Sequence, residues 1–231
     1  MNSVYSGGRR VVVTGASQGL GRAISQRLLA DGAAVFMTAR DPARLAATTS
    51  ELDERYPGRV ASLVADVRRQ EDMVAAASSA VSAFGAIDSV VCNAGVWGPK
   101  GRLEEIDIAE WSDAFATNVF GVSHTVRALL PALRASGRGR IVIMSGGGAT
   151  KPMAHLSAYA ASKSAVVRLG ETLADELRDD NIPVNMIAPG AVNTRMLDEL
   201  LTAGAERIGA FNYASALKQR ERGGTPPARG A

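Results

Sequence analysis

Tyr159 and Lys163 stand four residues apart in a stretch, 157–179, whose apolar spacing predicts a helix. Four residues is about one turn, so both side chains would lie on one helix face. A free phenol titrates near 10 and is a poor proton carrier at neutral pH. An ammonium group beside it favours the phenolate and should lower that value. The pair could therefore give a proton to an oxygen atom or take one from it. The spacing also suits a tyrosine packed by its ring beside a lysine that reaches past it to water.

A second chemical signal lies near the N-terminus. The apolar run 11–14 leads into Thr14-Gly15-Ala16-Ser17-Gln18-Gly19-Leu20-Gly21. Glycines there let the backbone turn sharply and come close to a pyrophosphate. A helix that follows directs its amide end and positive dipole at the phosphates. With 24 glycines in the chain, a three-glycine pattern alone is weak. Its place between a first strand and a first helix is what points to a nucleotide. At the end of the next strand a dinucleotide fold that selects NAD offers an acid to the adenosine ribose. Thr38-Ala39-Arg40 has no acid. Arg40 could instead pair with a 2′-phosphate, or it could be a surface residue pairing with Asp41.

These groups need a scaffold, and the chain reads as alternating strands and helices. Strands are expected at 11–14, 33–38, 60–65, 89–92, 141–145 and 184–188. Helices are expected at 21–30, 42–56, 70–84, 110–135 and 157–179, with Pro131 a possible kink in the fourth. Asp41 and Pro42 give the second helix an N-cap and a first-turn proline. The strands lack inside/outside alternation, as expected when helices cover both faces. The pattern predicts an α/β fold, a doubly wound parallel sheet in three layers with right-handed crossovers.

The 231 residues form one expected domain, 1–231, with hydrophobic residues at 46% and charged ones at 21%. Segment 196–222 reads as a substrate lid or a partner-contact segment, and 223–231 as a loose tail beginning with a Gly-Gly-Thr-Pro-Pro turn. A lone cysteine, Cys92, excludes an internal disulfide framework, and two histidines argue against a metal site. A net charge of +3 is too small to suggest nucleic acid. No apolar run approaches the ~20 residues that span a bilayer, and the polar start is no signal peptide. A cytoplasmic setting is expected, without membrane or nucleic-acid partners.

Taken together, the motifs resemble the short-chain dehydrogenase/reductase superfamily. They are Thr14-Gly15-x-x-x-Gly19-x-Gly21, Asp66-Val67, Asn93-Ala94-Gly95, Asn118 in Thr117-Asn118-Val119, Tyr159-x-x-Ser162-Lys163, and Pro189-Gly190 leading to Thr194. The resemblance runs from about residue 9 to about 196. It implies a Rossmann fold with its cleft at the carboxyl ends of the strands. Tyr159 would be the general acid and base, Lys163 would lower its pKa and bond the nicotinamide ribose, and Asn118 would hold a relay water. The oxidised nicotinamide is cationic and would push Tyr159 the same way. Gly15, Ser17, Gly19, Leu20 and Gly21 would cradle phosphates, and Arg40 would select NADP(H) over NAD(H). Asp66 and Val67 would meet the adenine. Asn93, Ala94 and Gly95 would line the cleft, and Pro189, Gly190, Val192 and Thr194 would close on the carboxamide or pyrophosphate.

Two departures stand out. Aligned without a gap, the family's substrate-binding serine falls on Gly146, with Ser145 one residue early. Three following glycines would let Ser145 shift into place, so Ser145 is the expected fourth catalytic residue. The family's last strand has no counterpart after residue 196. The resemblance implies an NADP-dependent oxidoreductase acting on a carbonyl or secondary alcohol, assembled as a homodimer or homotetramer through helices 110–135 and 157–179. The alternative is a nucleotide-binding relative without catalysis, serving as regulator or scaffold.

Overall fold

The computed structural model describes residues 8–223 and 226–230. The first part of the polar N-terminal stretch, two residues of the expected turn and Ala231 lie outside them. The chain runs β1 (Arg10–Thr14), α1 (Gly19–Ala30), β2 (Ala34–Ala39), α2 (Pro42–Arg55), β3 (Val60–Val64), α3 (Gln70–Phe84) and β4 (Ser89–Cys92). It continues as α4 (Ile108–Phe115), a π turn (Ala116–Phe120), α5 (Gly121–Ala135), β5 (Arg140–Met144), α6 (Ser157–Glu176) and β6 (Val184–Ile187). Then come α7 (Arg195–Ile208), α8 (Ala210–Glu221) and a closing turn, α9 (Pro227–Gly230). Residues 227–230 of the expected tail are thus helical, and they lie against α1.

All strand pairs are parallel, in the order β3-β2-β1-β4-β5-β6. The order reverses between β1 and β4, and a crevice opens there at the carboxyl ends of the strands. Val12, Phe36, Val90 and Ile143 bury one sheet face against α3, α5 and α6. Val11, Val13, Val35 and Met37 bury the other against α1 and α2. Every residue of β2 is buried, which accounts for its lack of alternation.

At the amino ends of the strands, Asp88 is fully enclosed. It accepts from Arg10 N at 2.8 Å and Arg10 Nε at 2.9 Å, and from Arg138 Nε at 2.9 Å. Burial alone would raise its pKa. The arginine hydrogen bonds outweigh that and hold it well below the usual carboxylate range. This clamp joins the starts of β1, β4 and β5, the last through Arg140 N to Asp88 O at 3.0 Å.

The expected single helix 110–135 is a correction. It is α4 and α5 joined by the π turn, with Thr117 Oγ1 donating to Asp113 O at 3.1 Å inside the bulge. Extra-residue turns of this kind are frequent at functional sites, and this one carries Asn118. Beyond it, α5 runs through Pro131 to Ala135. Among the described residues, no helix is long and apolar enough to cross a membrane, and no cluster of three potential metal ligands forms.

Candidate active site

The glycine loop leaves β1 at Thr14 and is stapled to the end of β4 by Asn93. Asn93 Nδ2 donates to Thr14 O at 2.9 Å and Gly15 O at 3.2 Å. Thr14 Oγ1 accepts from Asn93 N and Ala94 N, both at 3.1 Å. A side chain on Gly15, at φ +65°, would meet Ala94 Cα at 2.9 Å, and one on Gly21 would strike Asn93 Nδ2 at 2.4 Å. Both positions need glycine for close backbone approach. Helix α1 starts at Gly19, two residues earlier than its pattern predicts, because the loop's last turn is already helical. No side chain caps it and no acid sits in its first turn. Its free amides face the crevice, an arrangement that fits phosphate oxygens.

At the end of β2, Arg40 is exposed on the cleft wall. Asp41 is engaged by Arg44 instead, at 3.0 Å, and Arg44 also donates to Gln18 Oε1 at 2.6 Å. The expected alternative, an Arg40–Asp41 pair, does not form. Val67 lines the cleft beside Ala65. Asp66 does not. Its carboxylate accepts from Arg68 Nη2 at 2.6 Å and Nε at 2.9 Å, and these bonds outweigh the effect of burial and lower its pKa.

Helix α6 brings Tyr159 and Lys163 to one face, as their spacing requires. Lys163 Nζ donates to Met144 O at 2.7 Å and lies 5.8 Å from the centre of the Tyr159 ring. Tyr159 is 8% exposed. Burial pushes its phenol up to about 12 and pulls the Lys163 ammonium down to about 8. The expectation that lysine lowers the phenol's pKa is therefore not met here. Both groups have lost water, and loss of water disfavours each charged form.

Asn118 is buried behind the cleft. Its Oδ1 accepts from Val96 N at 2.8 Å, and its Nδ2 donates to Val96 O at 2.9 Å and Ser162 Oγ at 2.8 Å. It pins the loop after β4 to α6. Ser145 lines the cleft, with its amide bonded to Ile187 O at 2.8 Å and its Oγ buried without a partner among the described residues. Gly146 is the residue whose missing side chain faces the phenol: a Cβ there would stand 2.3 Å from Tyr159 Oη.

The cleft holds about 560 Å³ and also gathers Ser17, Gly19, Leu20, Asn93, Ala94, Gly95, Pro189, Gly190, Val192 and Thr194. Lining residues that the motifs did not indicate are Trp97, Met153 and Leu156, together with Asn212 and Gln219 of α8. Only the position of Trp97, two residues past Asn93-Ala94-Gly95, could have marked it. Segment 196–222 is a helical pair, α7 and α8, whose Leu197, Leu200 and Ala216 pack with Leu156 and Tyr159.

The chain is similar in sequence and in fold to known dehydrogenases. The chain is 36% identical over 216 residues to cis-2,3-dihydrobiphenyl-2,3-diol dehydrogenase of Paraburkholderia xenovorans, covering 91% of this chain and 76% of that one. A solved NAD+-bound xylitol dehydrogenase superposes with a TM-score of 0.86 at 25% identity, covering 95% of this chain and 88% of that one. An alcohol dehydrogenase from the archaeon Thermococcus sibiricus, in complex with 5-hydroxy-NADP, gives 0.79 at 28% identity, covering 96% and 87%. A family model described as short chain dehydrogenase matches residues 9–204, so the chain belongs to the short-chain dehydrogenase family of nicotinamide-dependent oxidoreductases.

Proposed function

We propose that this protein is an NADP(H)-dependent oxidoreductase that interconverts a carbonyl and a secondary alcohol, with Tyr159 as the proton donor in reduction and acceptor in oxidation. One observation carries the reading: the uncapped amide end of α1 and the phenol of Tyr159 line the same cleft. A nicotinamide cofactor, when bound, supplies or accepts the hydride. The chain's own residues do the rest. Gly15, Ser17, Gly19, Leu20 and Gly21 hold the phosphates, and Pro189, Gly190, Val192 and Thr194 hold the nicotinamide end from across the cleft. Val67 packs the adenine. Lys163 orients the ribose and, as a cation, steadies the phenolate that forms when Tyr159 gives up its proton. Ser145, one residue before the Gly146 that faces the phenol, is the second donor to the substrate oxygen once its buried, unpartnered hydroxyl turns toward the cleft. The relatives carry the names of dehydrogenases and reductases, and no observation favours a scaffold role.

Cofactor choice rests on Arg40. Related folds have been solved with NAD+ and with an NADP derivative, so the overall fold does not choose. The local residues support NADP(H): no acid stands at Ala39, and Arg40 forms no ion pair among the described residues, its electrostatic partner being the Arg68-bound Asp66. A charge-assisted bond to phosphate contributes about 1.5–3 kcal/mol, roughly ten- to a hundredfold. The test is kcat/KM for NADPH against NADH. NADPH should lead by at least about tenfold, and Arg40→Ala should erode that ratio while sparing NADH. Equal values in the native enzyme would refute the assignment. The same reading expects a cytoplasmic homodimer built on α4, α5 and α6.

A further inference from the structure

We propose that the substrate end of the cleft is built for an uncharged, flat ring compound, which lies against the indole of Trp97 with its oxygen toward Tyr159. The inference rests on the oxidoreductase reading above and names its substrate class.

Trp97 is held rigidly. Asn118 grips Val96 through two hydrogen bonds, at 2.8 and 2.9 Å, on one side of it. On the other side Gly98, at φ +72°, is wedged so that a Cβ would meet Ala114 Cβ at 2.6 Å and Ala158 Cβ at 3.1 Å. The indole Nε1 donates to Met196 O at 2.8 Å, joining this wall to α7. With its one polar atom engaged, the half-buried indole offers carbon to a ligand. Its ring centre lies 4.1 Å from that of Tyr159, at 47°. A ligand oxygen near the phenol therefore brings the ligand's carbon skeleton next to an aromatic face.

Met153, Leu156, Met196 and Leu200 add apolar wall, while the amides of Asn212 and Gln219 on α8 donate to Ala154 O at 2.7 Å and Asn193 Oδ1 at 3.3 Å. Of the charged side chains near these walls, Arg195 and Glu199 pair with each other at 3.2 Å, and Lys163 is the one assigned above to the ribose and the phenol. Among the described lining residues of this end, no charge beyond Lys163 is left to attract a carboxylate or a phosphate ester. Such a wall favours a ring, because flat rings gain stacking contact and lose no chain entropy on binding.

The test uses 1-indanone and 2-nonanone, which have equal carbon number, with NADPH. The native enzyme should prefer the ring ketone by about tenfold in kcat/KM, the size of a good aromatic pair. Trp97→Ala should bring the ratio within threefold, and Trp97→Phe should keep most of the preference. A native ratio near one, or a ratio unchanged in Trp97→Ala, would overturn the inference. Binding is read separately. The chain has two tryptophans, so in Trp111→Phe the emission comes from Trp97 alone. 1-Indanol should shift it saturably and 2-nonanol should not; the absence of any shift with 1-indanol counts against the pocket. A saturable shift without turnover of either ketone would overturn the oxidoreductase reading and leave the ring pocket standing.

Discussion

Tyr159 and Lys163 each titrate in the direction that burial dictates, and this makes the pH behaviour specific. For reduction, Tyr159 must hold its proton, which it does below about 12, and Lys163 must be charged, which it is below about 8. The kcat/KM of carbonyl reduction should therefore be level below pH 7 and fall above about 8; a profile flat to pH 10 would remove the lysine cation from the mechanism. Tyr159→Phe keeps the ring and its packing on Trp97 and loses only the proton. It should lower kcat by about 10²–10⁴-fold with NADPH affinity nearly intact, and retention of a third of the activity would dismiss the tyrosine. Ser145 and Gly146 give a paired test. Ser145→Ala removes a hydroxyl with no protein partner, so the urea midpoint should hold while kcat drops roughly 10²-fold, as for one lost donor to a developing oxyanion. Gly146→Ser places a Cβ 2.3 Å from Tyr159 Oη and should displace the phenol, cutting kcat at least about tenfold. An unchanged kcat in Ser145→Ala would show that the donor lies elsewhere.

Among the elements, those that carry chemistry depart from regular form. Helix α1 begins without a cap, and the π turn between α4 and α5 presents Asn118 to Val96 and Ser162. The stabilising devices lie at the opposite ends of the strands, where Asp88 ties three of them together. Its folded pKa is depressed. Its contribution is thus complete above the ordinary carboxylate pKa of about 3.9 and is lost as pH falls toward the depressed value. Asp88→Asn leaves Arg10 and Arg138 without their partner and should cost about 3 kcal/mol at pH 7. In urea melts the gap from wild type should narrow below pH 4, and a gap independent of pH would show that the charge is not what matters. This clamp was not legible in the sequence. Asp88 is 78 residues from Arg10 and 50 from Arg138, and only sheet register brings the three together.

At the scale of the whole molecule, the layers cover most of the apolar surface, but Phe211, Ile108, Leu103 and Phe120 stay 82%, 66%, 62% and 54% exposed, with Ile108 at the start of α4 and Phe120 at the end of the π turn. The homodimer proposed on α4, α5 and α6 would cover Phe120, which stands between α4 and α5. Light scattering should give twice the chain mass, and introducing Phe120→Glu should lower it toward one chain by burying an unpaired charge in the seam; a monomer at every concentration would dismiss the pairing. The six strands with helices α1, α2, α3 and α6, the glycine loop and the one-turn spacing of Tyr159 and Lys163 were readable in the sequence alone. Each is a local matter of periodicity, turn chemistry or helix geometry, and neighbours along the chain express it. The sequence also carried the family motifs, because they are fixed spacings of particular residues. Tertiary structure alone decided the rest. It set the directions of the Tyr159 and Lys163 titrations, because solvent exclusion depends on what packs around a residue. It directed Gly146 rather than Ser145 at the phenol, committed Asp66 to Arg68, and laid Trp97 against Tyr159. All of these turn on the direction of a side chain or on contact between distant segments, which residue spacing does not encode.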